Sequence, residues 1–172
     1  APCGFDKIIV AVDPAVTSHK GSDATGIIVA ACQTEGGQKI AYILHDATVQ
    51  GVNPQVWAQK VIACCYQFGA DYIVAETNQG GEMVRTTLSA VDDSFVVRPV
   101  HAKTSKAARA TPVSISYQQG RVKHAGAFPE LEDEMCNFGA MKGESPDRVD
   151  AMVWAVTELL HSHQQEPGIR QL

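Results

Sequence analysis

Unbroken apolar runs and apolar positions at helical spacing divide the chain into alternating predicted elements. Runs bounded by turn residues predict five strands, at residues 7–13, 24–33, 39–48, 71–76 and 94–100. Apolar residues three and four positions apart predict five helices, at residues 54–68, 82–90, 103–119, 129–138 and 146–161. Pro112 falls inside the third helix and should break or restart it. Residues 121–124 predict one further short extended piece.

The connections between these elements predict how the strands pair. Short turns join the first three strands, which therefore form an antiparallel meander. A helix separates the third strand from the fourth, so the fourth returns by a crossover and pairs in parallel with the first. The pattern predicts an α/β fold: a mixed sheet of three antiparallel strands followed by two parallel strands, flanked by helices.

The first strand ends in a carboxylate that is difficult to bury. Its apolar run leads directly into Asp13, and Pro14 then stops the ladder because proline has no N–H to donate. The fourth strand is equally apolar and ends in Glu76. Because the carboxyl ends of parallel neighbours meet at one edge of a sheet, we expect the two acids to lie close together.

The last predicted helix brings two more acids. Asp147 and Asp150 lie three residues apart on its first turn and face the same way, with Ser145 as the expected cap and Pro146 at the first helical position. Two carboxylates 4 Å apart repel by roughly 4 kcal/mol at an effective dielectric of about 20. Divalent cations would remove this repulsion, and oxygen ligands favour Mg²⁺ or Mn²⁺.

Each acid also has a purely structural interpretation. A single Asp can end a strand, Asp147 can serve as a helix cap, and Glu76 can begin a loop. The conjunction of strand-end acids with acids on a capped helix favours a metal site made of Asp13, Glu76, Asp147 and Asp150. Asp23, in the turn after the first strand, either supports this site or only makes the turn.

Composition limits the class of protein. The chain has 172 residues, 45% of them apolar and 19% charged, which is typical of one globular domain. We expect that domain at residues 1–164 and a flexible tail at residues 165–172. No apolar run reaches the length of a membrane span, and the start lacks the features of a signal peptide. The five cysteines form no C-x-x-C pair, which argues against a zinc site and fits a reducing cytoplasm.

Positive charge is concentrated in one part of an otherwise acidic chain. The net charge is −5, yet residues 98–124 contain no Asp or Glu. This basic band predicts contacts with phosphate, although a solvated helix face would also be basic. The predicted DNA-binding residues are Lys103, Lys106, Arg109, Arg121 and Lys123. Trp57 and Trp154 occupy helical core positions and are predicted to be packing residues.

Six segments together resemble a known family. They are residues 12–15 (VDPA), 21–26 (GSDATG), 74–84 (VAETNQGGEMV), 106–110 (KAARA), 119–124 (QGRVKH) and 145–155 (SPDRVDAMVWA). In this order they resemble the nuclease domain of the large terminase subunit of tailed phages. The resemblance covers nearly the whole chain. Each motif alone is weak, but the combination is specific.

The resemblance implies an RNase H-like fold, close to the RuvC resolvase type, and two-metal cleavage of double-stranded DNA during genome packaging. It implies that Asp13 and Glu76 are the first two acids of the family's triad and that Asp147 or Asp150 is the third. The family's N-terminal ATPase half has a phosphate-binding loop, and no G-x-x-x-x-G-K-[ST] motif occurs here. We therefore expect the C-terminal domain alone.

The family also implies a biological setting and leaves alternatives. The expected partners are the terminase ATPase domain, the portal and the small terminase subunit, in the cytoplasm of a host bacterium. The expected cofactors are two Mg²⁺ or Mn²⁺ ions. A junction resolvase would share the same acids, and a catalytically silent docking module would keep only the fold.

Overall fold

The computed structural model describes residues 4–14, 24–77, 81–138 and 146–162. Seven strands form one mixed sheet in this part of the chain: β1 Lys7–Asp13, β2 Ala24–Glu35, β3 Gln38–Asp46, β4 Val49–Gln50, β5 Tyr72–Glu76, β6 Val97–Val100 and β7 Val122–His124. The helices are α1 Pro54–Phe68, α2 Gly81–Val91, α3 Lys106–Gln118, α4 Pro129–Asn137 and α5 Asp147–Val156, which continues as a π-helical turn, Thr157–His161.

The strands pair as the connections predict. Their order is β6-β5-β1-β2-β3-β7, and β4 pairs with β2 outside this path. β1, β2 and β3 are antiparallel neighbours, whereas β5 is parallel to β1 and β6 is parallel to β5. β7 is parallel to β3 and closes the other edge. The predicted mixed α/β sheet is therefore confirmed.

Between Lys7 and Asp13, β1 is apolar because it is buried on both sides. Successive strand residues point to opposite faces. Ile9 and Ala11 pack with α3, α4 and α5, and Ile8 and Val10 pack with α1 and α2. The continuous apolar run therefore serves two cores at once, and its end is enclosed by helices on both faces.

Helix α1 begins and ends where its sequence predicts. The Asn53 side chain caps it by accepting a hydrogen bond from the Val56 amide at 3.0 Å. Gly69 ends it in the left-handed conformation, at φ 65°. Local capping chemistry fixed both ends, which is why they could be predicted accurately.

Helix α3 differs from its prediction because Pro112 does not break it. The helix runs unbroken from Lys106 to Gln118 with Pro112 in its interior. Pro112 cannot donate to the carbonyl of Ala108, but both residues are exposed, so water can satisfy that carbonyl. The buried side chains of Val113 and Ser116 hold the second half of the helix in place.

Aspartate side chains make turns at the ends of two predicted strands, each of which is shorter there than expected. β3 ends at Asp46, whose carboxylate accepts a hydrogen bond from the Thr48 amide at 3.0 Å. β6 begins only at Val97, because Asp92 accepts from the Ser94 amide at 2.8 Å and keeps that segment in a turn. Among the described helices, none is both long and apolar enough to cross a membrane.

Candidate metal centre

Parallel pairing of β1 and β5 brings the first two predicted acids together. Val12 is paired with Ala75, so Asp13 and Glu76 follow at the same edge of the sheet. Burial raises the pKa of the Asp13 carboxyl to about 8, and the charges of Glu76, Asp150 and Asp147 add to the rise. The other three predicted acids therefore all act electrostatically on Asp13.

Gly26 allows the start of α5 to reach this edge. Gly26 lies opposite Asp13 on β2. A Cβ atom at Gly26 would lie 2.0 Å from the carbonyl oxygen of Asp147 and 3.0 Å from the Cβ of Ala151. The helix backbone thus rests directly on the strand backbone, which only glycine permits. Gly26 belongs to the family-like segment 21–26, but its sequence pattern did not reveal this role.

A side chain from α4 caps the start of α5. Pro146 occupies the cap position instead of the first helical position, and it makes no side-chain cap hydrogen bond. The expected cap, Ser145, lies outside the described residues. Glu134 Oε2 accepts hydrogen bonds from the amides of Arg148 at 3.1 Å and Val149 at 3.3 Å. A negative charge at a helix N-terminus is favourable.

Arg148 joins the start of α5 to two other elements through ion pairs. Its guanidinium donates to Glu134 at 2.9 Å and to Asp46, at the end of β3, at 3.0 Å. One arginine therefore joins α4, α5 and β3 next to the acids of α5. Residues Asp46, Glu134 and Arg148 were not assigned by sequence reasoning, since they lie far apart along the chain.

Asp150 is the most deeply buried of the four acids and is neutralised by basic side chains of α3. Its side chain is 3% exposed. The Lys106 ammonium contacts Asp150 Oδ2, and Arg109 Nη2 lies 3.6 Å from Oδ1. Burial disfavours the charged form of Lys106. The hydrogen bond to Asp150 and the neighbouring carboxylate charges outweigh this effect and raise the pKa of Lys106.

Glu76 is held by a residue that the sequence predicted to be only a packing residue. The indole Nε1 of Trp154 donates to Glu76 Oε2 at 2.6 Å. Trp154 follows Asp150 by four residues on α5, so both face the same side of the helix. This spacing was the signal that could have placed Trp154 in the site.

The chemistry of the four side chains fits a divalent cation. Four carboxylates, with Lys106 and Arg109 as the contacting cations, leave an excess of two negative charges if all six groups are ionised. All the oxygen donors are of the kind that Mg²⁺ or Mn²⁺ prefers. Within the described residues, no three acidic, histidine or cysteine side chains are arranged as a group that could hold an ion. In the structure, Lys106 and Arg109 contact the Asp150 carboxylate, and the indole N–H of Trp154 donates a hydrogen bond to Glu76. The candidate ligand Asp23 lies outside the described residues.

The predicted DNA-binding residues fall into two separate groups. Lys106 and Arg109 contact Asp150, and Lys103 is exposed just before α3. Lys123 lies on β7, at the far side of the sheet, where it pairs with Glu35 at 3.4 Å. Arg121, next to β7, donates to the Lys39 carbonyl at 3.4 Å. The basic segment is therefore continuous in sequence but not in space.

A cleft of about 940 Å³ opens beside the end of β5. Thr77, which directly follows Glu76, forms part of its wall, together with Arg85 and His101. The Thr77 hydroxyl lies 3.1 Å from His101 Nδ1. None of the four acids is among the described residues that line the cleft, whose wall carries hydroxyl and basic groups together with the acidic Glu82.

Comparison with known proteins agrees with this architecture. The model of the terminase RNaseH-like domain family matches residues 10–159. The large terminase nuclease from thermophilic phage G20c is 16% identical, with a TM-score of 0.67 over 92% of this chain and 84% of that one. The P22 large terminase nuclease domain is 15% identical, with a TM-score of 0.64 over 92% and 84% of the two chains.

A third solved structure has the same fold. It is a mutant nuclease domain of the large terminase subunit of bacterial virus Sf6, with manganese and beta-thujaplicinol, and it is 12% identical. Its TM-score is 0.57, and the match covers 87% of each chain. No curated protein sequence matches this chain. With a family match over most of its length and the same mixed sheet, the chain belongs to the terminase RNaseH-like domain family.

Proposed function

We propose that this chain is a divalent-metal-dependent endonuclease that cleaves double-stranded DNA, with low sequence specificity, during phage genome packaging. The observation that carries the proposal is the cluster of Asp13, Glu76, Asp147 and Asp150, in which burial and mutual repulsion raise the pKa of Asp13 to about 8. A cluster of this kind is favoured when cations compensate its charge.

The four carboxylates would hold two Mg²⁺ or Mn²⁺ ions, which when bound supply an activated water and stabilise the leaving oxygen. Solved forms of the phage G20c nuclease contain zinc, magnesium or cobalt. They support a preference for divalent metals in this fold. The choice between Asp147 and Asp150 as the third direct ligand remains part of the proposal.

The chain's own residues would position the DNA backbone. The cleft lined by Thr77, the residue after Glu76, offers hydroxyl groups and the guanidinium of Arg85. Lys106, on α3, contacts Asp150, and Lys103 is exposed three residues before it; both would contact phosphates. Contacts to phosphate carry no base information, which is why we expect weak sequence specificity. Arg121 and Lys123 would contact only DNA that extends across the opposite edge of the sheet.

The wider setting is also proposed. Large terminases combine a nuclease with an ATPase, and we expect an ATPase domain, a portal and a small terminase subunit as partners in the host bacterium. This acidic chain by itself should bind DNA weakly. Its partners would then hold the DNA during cleavage.

The test is cleavage of supercoiled plasmid in the presence of Mn²⁺. We expect nicked and linear products from the unmodified chain and none from Asp13→Ala. Equal cleavage by Asp13→Ala would refute the assignment of the site. A folded chain that binds no Mn²⁺ and cleaves nothing would instead favour the docking module. Preferential cleavage of four-way over linear DNA would favour the junction resolvase.

A further inference from the structure

Trp154 connects two of the four acidic side chains although it is itself uncharged. Its indole N–H donates to Glu76 Oε2 at 2.6 Å, shorter than the 2.9–3.0 Å typical of N–H···O bonds. Trp154 is 8% exposed and Glu76 is partly buried, so this hydrogen bond to a carboxylate is partly shielded from water. Hydrogen bonds to an ionised acceptor in such surroundings are among the stronger ones in proteins.

The indole ring makes a second connection. The guanidinium carbon of Arg109 lies 5.0 Å from the ring centre of Trp154, within the range of a cation–π interaction. Arg109 Nη2 also approaches Asp150 Oδ1 at 3.6 Å. A continuous chain of contacts therefore runs from Glu76 through Trp154 and Arg109 to Asp150. It passes from β5 to α5, on to α3 and back to α5.

We propose that Trp154 is a positioning residue of the metal centre, which fixes the carboxylate of Glu76 relative to that of Asp150 before any cation binds. The inference rests on the proposed metal-dependent function. Groups that hydrogen-bond to ligand carboxylates set their orientation, and their loss typically reduces metal affinity or activity by 10- to 100-fold. A merely structural tryptophan would affect stability and leave metal affinity unchanged.

The matched pair of variants is Trp154→Phe and Trp57→Phe, since the chain contains only these two tryptophans. Phenylalanine keeps an aromatic ring and removes the N–H donor. Trp57 is 2% exposed and packs in the core on the other face of the sheet. Isothermal titration with Mn²⁺ should show about tenfold weaker binding by Trp154→Phe and unchanged binding by Trp57→Phe.

A double-mutant cycle with Glu76→Gln tests whether Trp154 acts through Glu76. If it does, Trp154→Phe should weaken Mn²⁺ binding in the presence of Glu76 and change it little in the Glu76→Gln background. Equal losses in both backgrounds would overturn the proposal. So would equal Mn²⁺ affinity of Trp154→Phe and the unmodified chain.

Fluorescence provides a measurement that does not depend on folding of Trp154→Phe. In Trp57→Phe, Trp154 is the sole tryptophan and reports on its own surroundings. We expect its emission to change with Mn²⁺ and with Glu76→Gln. Emission unaffected by both would overturn the proposal. If the unmodified chain binds no Mn²⁺ by titration, the proposed metal-dependent function fails together with this inference, whereas binding with no role for Trp154 refutes this inference alone.

Discussion

Gly26 and Asp147 are in backbone contact: the strand that pairs with β1 has no side chain at the point where the last helix begins. A Cβ atom at Gly26 would overlap the Asp147 carbonyl at 2.0 Å. Since Gly26 also lies opposite Asp13 in the sheet, the contact sets how closely the acids of α5 approach the acid of β1.

Gly26→Ala should therefore separate the two halves of the carboxylate cluster. The helix must move away from β2, and overpacking of this kind costs about 1–3 kcal/mol. We expect lower stability in urea and a loss of Mn²⁺ binding. Gly126→Ala is the control, because its Cβ would meet only Phe128 at an ordinary 3.9 Å. Unchanged Mn²⁺ binding by a folded Gly26→Ala would show that the contact does not set the site.

The metal-free chain should lose stability as the pH rises. The folded-state pKa of Asp13 is raised to about 8 from an unfolded value of 3.8, so the folded state binds the proton more tightly between these two pH values. Unfolding free energy should fall with pH across this window, by at most about 1.4 kcal/mol per pH unit from this group.

Urea unfolding in EDTA at several pH values from 4 to 8 measures this slope. Asp13→Asn should flatten it, because the amide does not titrate. Saturating Mn²⁺ should also reduce the slope, since a bound cation favours the ionised carboxylate. A slope unaffected by Asp13→Asn would assign the pH dependence to other groups.

Lys106→Met should alter metal binding and metal-free stability in opposite directions. Lys106 contacts Asp150 and feels the charges of Asp13 and Asp147. Its removal leaves more uncompensated negative charge, which destabilises the metal-free chain and strengthens Mn²⁺ binding, on the order of tenfold. Thermal unfolding with and without Mn²⁺ measures both effects. The exposed neighbour Lys103, changed to Met, serves as the control, and a Lys106→Met variant with weaker Mn²⁺ binding would contradict the prediction.

Arg148→Met should loosen the start of α5. The variant loses the ion pairs that Arg148 makes with Glu134 at 2.9 Å and with Asp46 at 3.0 Å. Because the Arg148 side chain is 25% exposed, we expect a loss of about 1.5 kcal/mol, at the lower end for hydrogen bonds to charged groups. Mn²⁺ binding should weaken as well. Lys123→Met breaks a surface pair with Glu35 and should leave both properties unchanged, and equal behaviour of the two variants would refute the role of Arg148.

The sheet and the meeting of Asp13 with Glu76 could be predicted because they depend on local signals. A strand buried on both faces is apolar throughout, and a crossover connection aligns the ends of parallel strands. The caps of α1 were predictable for the same reason, since Asn53 and Gly69 act within one helical turn.

The remaining parts of the site depend on contacts between residues far apart in the chain. The role of Gly26 requires knowledge of which backbone passes over it, and that of Glu134 requires the position of α4 relative to α5. The basic segment at residues 98–124 shows the opposite error. Its residues are close in sequence, but β7 carries Lys123 to the far edge of the sheet while α3 turns Lys106 and Arg109 toward Asp150.

The hydrogen bonds and ion pairs of Arg148 and Glu134 at the start of α5 have a consequence during synthesis of the protein on the ribosome. Asp13 and Glu76 are translated before their partners on α5, which follow only after α4 has supplied Glu134. A nascent or prematurely terminated polypeptide that lacks α5 has only Asp13 and Glu76 of the four acids, and it lacks the contacts between Arg148 and Glu134. Under the proposed nuclease function, DNA cleavage would therefore begin only after α5 has been synthesised.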